Sequence, residues 1–162
     1  MFEWLKNYLL QQEIKSGPKI QKQFTEWDKV QSAVILVDSG QYGIAKDFAK
    51  QTGKNIDIIV IHPDKVSETK DSFLSFNKKD LNFFGLPNQT AIDKLKKRTF
   101  DVLINFDFNN SGFLRALTGL TPAKCKLGPE SVVYNDLFDI SIQSDRNDFL
   151  KQALKYLMMI KS

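Results

Sequence analysis

The run Ser32-Ala-Val-Ile-Leu-Val-Asp38 constrains this chain more than any other feature. It is short, nearly unbroken in apolar character and rich in β-branched residues, as a strand buried on both faces must be. Ser39-Gly-Gln-Tyr-Gly43 follows as a turn. Residues Ile44 to Gln51 then form a helix, with Ile44, Ala45, Phe48 and Ala49 on one face and Gly53 closing it. Ile56-Asp-Ile-Ile-Val-Ile-His62 is a second buried strand, ended by Pro63. Strand, helix and strand in this spacing make a βαβ unit, which requires a parallel pair joined by a right-handed crossover.

The rest of the chain continues the alternation. Ser72 to Phe76 is compatible with a short strand, and Lys78 to Pro87 reads as a loop or single helical turn carrying Phe83 and Phe84. Thr90 to Arg98 is a helix, with Thr90 as its expected N-cap. Phe100 to Asp107 is a strand that places Phe100, Val102, Ile104 and Phe106 on one face. Asn109-Asn-Ser-Gly112 turns into a helix over Phe113 to Leu120. Lys124 to Leu127 and Phe138 to Gln143 are further strands. Asp145 is a candidate cap for a closing helix built on Phe149, Leu150, Ala153, Leu154, Leu157 and Met158. The expected fold is α/β: a three-layer Rossmann-like domain over residues 31–162, with a mostly parallel sheet of about five strands.

Residues 1–30 stand apart as an N-terminal helix with a connecting segment. At helical spacing, Met1, Phe2, Trp4, Leu5, Tyr8 and Leu9 share one broad arc, opposite Glu3, Lys6 and Asn7, while Leu10 and Gln12 interrupt the pattern. Ser16-Gly-Pro18 stops this amphipathic helix. The polar stretch that follows is expected to dock Phe24 and Trp27 on the domain. The apolar arc has two uses: packing on its own domain, or binding a partner protein or a second copy.

Composition narrows the chemistry. The chain has one His and one Cys in 162 residues, against thirteen Phe. A Cys/His zinc cluster, a two-His metal site and an internal disulfide are therefore excluded. The net charge of +4 is milder than that of a dedicated nucleic-acid binder. Its densest basic run is Lys94, Lys96, Lys97 and Arg98, which reads first as a solvated helix end and second as an RNA-contacting patch. No apolar stretch is long enough to cross a bilayer, and the N-terminus lacks the pattern of a secretory signal, so the cytoplasm is the expected compartment.

In a doubly wound sheet, ligands bind outside the carboxyl ends of the strands. The residues expected there are Asp38, Ser39 and Gly40, then His62, then Asp107, Asn109, Asn110 and Ser111, then Glu130. The turn at Ser39 and Gly40 matches neither G-x-G-x-x-G nor the Walker pattern, so it reads first as an ordinary capped turn and second as a phosphate cradle at a helix N-terminus. Ser111 or Asn110 reads first as the cap of the next helix and second as a ligand contact. Asp38, Asp107 and Glu130 could share a divalent cation, though no motif supports it. His62 is expected to bond backbone, Cys125 to fill core, and Phe83 and Phe84 to cover a sheet face rather than stack on bases.

Several segments resemble a known group. Asn77-Lys-Lys-Asp-Leu-Asn-Phe-Phe-Gly-Leu-Pro87, the strand at Phe100 to Asn105, Lys126-Leu-Gly-Pro129, Asp136 to Ser141 and Phe149 to Leu157 resemble an uncharacterised bacterial family, found mainly in the Bacteroidetes and labelled only as a domain of unknown function. The resemblance implies a bacterial cytoplasmic protein and supplies no catalytic residues. The layout from Phe100 to Gly128 is also similar to the N-terminal Rossmann-like half of heptosyltransferase-type glycosyltransferases. The second domain that holds the nucleotide-sugar in those enzymes is not expected within these 162 residues, so transferase activity is not expected of them.

The functional expectation is a non-enzymatic binding module of a protein or ribonucleoprotein assembly, docking through Phe2, Trp4, Leu5, Tyr8 and Leu9. Removing Met1 to Ile14 is expected to leave a folded domain. One alternative is a small-ligand or nucleotide-binding protein that uses Ser39, Gly40, Asp107, Asn109 and Ser111. Another is an RNA-binding accessory protein that uses Lys94, Lys96, Lys97 and Arg98. No catalytic residue, metal or cofactor is assigned.

Overall fold

The computed structural model describes residues 3–16, 19–63, 65–131, 134 and 136–161. Its centre is a sheet of six parallel strands in the order β3-β2-β1-β4-β5-β6. The strands are β1 (Ala33–Asp38), β2 (Ile56–His62), β3 (Leu74–Asn77), β4 (Phe100–Asn105), β5 (Ala123–Pro129) and β6 (Ile140–Ile142). The β-branched run met first in the sequence becomes β1, the strand from which the sheet grows both ways. Ile35 lies between Ile58 of β2 and Ile104 of β4. The short segment before Asn77 does form an edge strand, so the sheet is one strand larger than expected.

Helices cover both faces. On one side α2 (Tyr42–Thr52) and α5 (Phe149–Met159) close over Ile35, Val37, Val60, Val102 and Ile104, using Ala45, Phe48, Phe149, Ala153 and Leu157. On the other, α3 (Gln89–Leu95) and α4 (Gly112–Leu120) close over Val34, Leu36, Ile59, Ile61 and Leu103. The period-two alternation of each strand feeds both cores. Phe100 departs from it and packs with the second core, away from Val102. The reason lies at the start of β4, where the N–H groups of Asp101 and Val102 both reach the Ser32 carbonyl and break the alternation.

Two capping details differ from expectation. Asn88, not Thr90, caps α3, its side chain accepting from the Ala91 N–H. Asp145 accepts from the Asp148 N–H and so closes the turn ahead of α5 rather than the helix itself. Ser111 does cap α4, accepting from Leu114. Trp27 is buried as expected, whereas Phe24 stays exposed.

The N-terminal helix α1 (Glu3–Ser16) packs on its own domain. The residue expected to interrupt its apolar arc, Leu10, is the one it buries, with Leu9 and Ile14 beside it against the α3–α4 core. Gly119 of α4 makes room: a Cβ there would collide with Ile14. Leu10 and Ile14 stand one turn apart and form the seated stripe. Trp4 and Tyr8, also one turn apart, project outward. The helix therefore has apolar residues on two sides instead of one amphipathic face, because its fit to α4 selects the inward stripe. Among the described residues, no helix is long and apolar enough to cross a membrane.

Candidate functional site

The strand order reverses between β1 and β4, so their carboxyl ends form the crevice where a doubly wound fold binds ligands. Asp38 ends β1, and its carboxylate accepts the Gly40 N–H at 2.9 Å. A single 3-10 turn, Ser39–Gln41, then leads into α2. The Asp38 carboxylate thus occupies the place beside the backbone amides that an anion would take. Ser39 and Gly40 are exposed at the rim.

Asp107, just beyond β4, is buried and fully engaged. One oxygen accepts the Asn109 N–H at 2.9 Å. The other accepts the Ser111 N–H at 2.8 Å and the Tyr134 hydroxyl at 2.6 Å. These bonds hold the turn in which Asn110 takes a left-handed backbone, φ 53°, a conformation Asn tolerates. Asn109 spans the crevice. Its amide donates weakly to Asp38 at 3.4 Å and its carbonyl accepts from Arg146 at 3.1 Å.

Tyr134 gives this arrangement its depth. Its ring stacks on Phe138, with centroids 4.7 Å apart. Phe138 in turn lies against Gly128, where any Cβ would strike the ring. Burial, reinforced by the Asp107 carboxylate, pushes the Tyr134 hydroxyl well above its ordinary range, so it remains a donor. Beneath it, Asn105 donates to Thr118 at 2.8 Å. The Asn105 carbonyl oxygen is buried without a hydrogen-bond partner among the described residues.

The structure therefore brings Asp38, Gly40, Asp107, Asn109 and Ser111 together, largely by bonding them to one another. Glu130 lies across a cleft of about 400 Å³ that it lines with Asp107, Phe108, Asn110, Ser131 and Gln143. Asp38 is not part of that lining. Among the described residues, no cluster of His, Cys, Asp or Glu could hold a metal ion, so the possible Asp38–Asp107–Glu130 site does not form. Both Asp107 oxygens are already committed. His62 bonds the Thr69 hydroxyl at 2.9 Å rather than the backbone.

Of the expected docking residues, Trp4 is 72% and Tyr8 56% exposed, Leu5 and Leu9 are half-buried, and Phe2 lies outside the described residues. Phe83, expected to cover the sheet, is 95% exposed and meets Phe84 edge-on. Between α1 and the loop that carries this pair lies a largely apolar cleft of about 590 Å³ lined by Leu9, Leu10, Phe84, Leu86 and Ile92. The basic run is divided between partners and solvent. Arg98 pairs with Asp57 and lies over the rings of Phe73 and Phe100. Lys96 pairs with Glu13, while Lys94 and Lys97 point to solvent.

Sequence reasoning missed Tyr134, Arg146 and Lys126. The first two lie in stretches without periodicity and left no signal. Lys126 did leave one, a charge in the middle of a buried strand. Its ammonium is buried and donates to the carbonyls of Thr118 at 2.7 Å and Gly119 at 3.3 Å. Burial pulls its pKa down to about 8, with the nearby Lys22 charge adding to the effect.

Strand order, layering and the crevice define a doubly wound α/β domain with its strand-end turns tied together internally. The chain belongs to DUF6913, a family of unknown function whose model matches residues 5–160, a span that includes most of α1. No curated protein and no solved structure matches it.

Proposed function

We propose that this protein is a non-enzymatic binding module that docks a protein partner through the outward side of α1 and the neighbouring Phe83–Phe84 loop. One observation carries the reading. Large aromatic side chains, Trp4 and Phe83 above all, face solvent on these two adjacent elements. Exposed aromatics are costly to leave in water and are the residues that anchor protein interfaces. Leu9 and Leu10, by contrast, hold α1 in place. The expected deletion of the whole helix is therefore a poor test, and substitutions of its outward residues are the better one.

Photocrosslinking tests it. p-Benzoylphenylalanine replaces Trp4, Phe83 or, as a control, Ser39, in cells that naturally express the protein. A discrete protein adduct from the first two positions and none from Ser39 is the expected outcome. Adducts at Ser39 alone, or none at any position, would reject the reading. The same experiment identifies the assembly to which the module belongs.

A second reading is favoured by the cleft between Asp107 and Glu130, beside the β1–β4 switch point. Here the chain binds a small polar ligand or nucleotide. Thermal-shift screening with nucleotides, sugar nucleotides and Mg²⁺ checks it. A ligand at about 100 times its dissociation constant should add about 2.7 kcal/mol of stability, and a panel without any shift argues against it.

A further inference from the structure

The β2–β3 connection contains a departure from the doubly wound plan. It advances in the same direction as β1–α2–β2, so the right-handed rule would set a helix beside α2 on the same face. The described residues of this connection, 63 and 65–73, form turns, bends and irregular backbone but no helix. Next to α2 an open groove of about 480 Å³ remains, lined by Tyr42, Lys46, Lys50, Lys54, Asp71 and Phe73, with the start of β2 as its floor.

The lining is basic and aromatic. Lys46 and Lys50 stand about one helical turn apart on α2, about 6 Å along its axis, and Lys54 extends the row past Gly53. Among the described residues the ion pairs engage Lys22, Lys29, Lys96, Lys124 and Arg98, and none engages Lys46, Lys50 or Lys54. Asp57 on the floor is neutralised by Arg98, which leaves Asp71 at the lip as the remaining carboxylate of the lining. Lys46 lies over the Tyr42 ring, and Lys54 over Trp27 while donating to the Val30 carbonyl. Phe73 is held edge-on to Phe100 and beneath Arg98, yet remains exposed toward the groove.

We propose that this groove binds single-stranded nucleic acid. The lysine row meets successive backbone phosphates, and the exposed side of Phe73 offers an apolar surface for the bases. A concave strip with aromatic walls suits a flexible strand better than a flat membrane surface or the rigid cylinder of a duplex. The site is separate from the one proposed for protein docking and does not depend on it.

Fluorescence anisotropy with labelled oligo(dT) and oligo(U) tests the assignment on the full chain. With three phosphate contacts, affinity should fall about 20-fold between 50 and 200 mM salt. The double variant Lys46→Ala/Lys50→Ala should bind more weakly and lose only about threefold over the same range. Phe73→Leu, which keeps apolar bulk under Arg98, should weaken binding with little change in salt slope. Lys94→Ala/Lys97→Ala should behave as wild type. Circular dichroism and melting temperature establish that each variant is folded. The proposal is overturned by no binding at 50 mM salt, by undiminished binding in the Lys46/Lys50 variant, or by weakening in the Lys94/Lys97 variant. Equal affinity for a duplex, or for vesicles of anionic lipid, replaces it with a general polyanion surface.

Discussion

Lys126 shows how a single residue can repair an element and carry a cost of its own. The amide that would normally bond the Thr118 carbonyl belongs to Pro122, which has no N–H. The Lys126 amine supplies the missing donor, with only 8% of the residue exposed. With its pKa lowered to about 8, the folded chain releases this proton earlier than the unfolded chain does. Between about pH 8 and the ordinary lysine value the unfolded state binds more protons, so this group makes stability rise with pH, by at most about 1.4 kcal/mol per unit. Below that window the buried charge is a net burden. Urea denaturation at pH 7.5 and 9.5 should show this alkaline gain in the wild type and its loss in Lys126→Met. Cys125 beside it is wholly buried, and burial together with Asp139 pushes its thiol up to about 12. It should resist Ellman's reagent in the native state at pH 8 and react fully in denaturant.

At the scale of elements, α1 depends on a single small residue. Ile14 sits where a side chain on Gly119 would be. Gly119→Ala presses only against the flexible end of Ile14 and should be tolerated. Gly119→Leu should lift α1, at about 1–3 kcal/mol, and expose its backbone to proteolysis. Ile14→Ala in the same chain should restore part of the protection. If α1 in Gly119→Leu resists proteases as well as wild type does, the helix is not seated by this contact. The loop before α3 has the opposite character. The Asn82 side chain accepts the N–H groups of Phe84 and Leu86, and Gly85 takes φ 74°. This turn is rigid enough to hold Phe83 in water, so Phe83→Ser should leave the melting temperature unchanged while abolishing crosslinking to a partner.

Across the whole molecule, the two proposed surfaces lie on opposite layers of the sheet. The docking aromatics belong to the side of α1 and α3, and the lysine groove to the side of α2. Sites this separate and without shared partners should act additively. Trp4→Ala with Phe83→Ser should leave oligonucleotide affinity within error of wild type, and Lys46→Ala/Lys50→Ala should leave the protein crosslink intact. A coupled loss in either direction would show that the two surfaces form one interface.

The apolar runs at β1 and β2 and the helical spacing between them were sufficient to specify a parallel α/β sheet, because burial on both faces leaves no other pattern of side chains. The same logic located Asp38, Asp107, Asn109 and Ser111 at the strand ends, since polar residues there escape the two cores. What they do there was not legible. Whether a carboxylate awaits a ligand or is satisfied by Tyr134 and two backbone amides depends on segments distant in the chain. Tertiary structure also decided which side of α1 is buried. Periodicity points to one broad arc through Trp4, Tyr8 and Leu9 with Leu10 outside it, and only the fit of Ile14 over Gly119 turns Leu10 inward and Trp4 outward. The lysine row at Lys46, Lys50 and Lys54 was present in the sequence throughout. It became a groove only because the chain after β2 forms turns where a helix would otherwise have covered it.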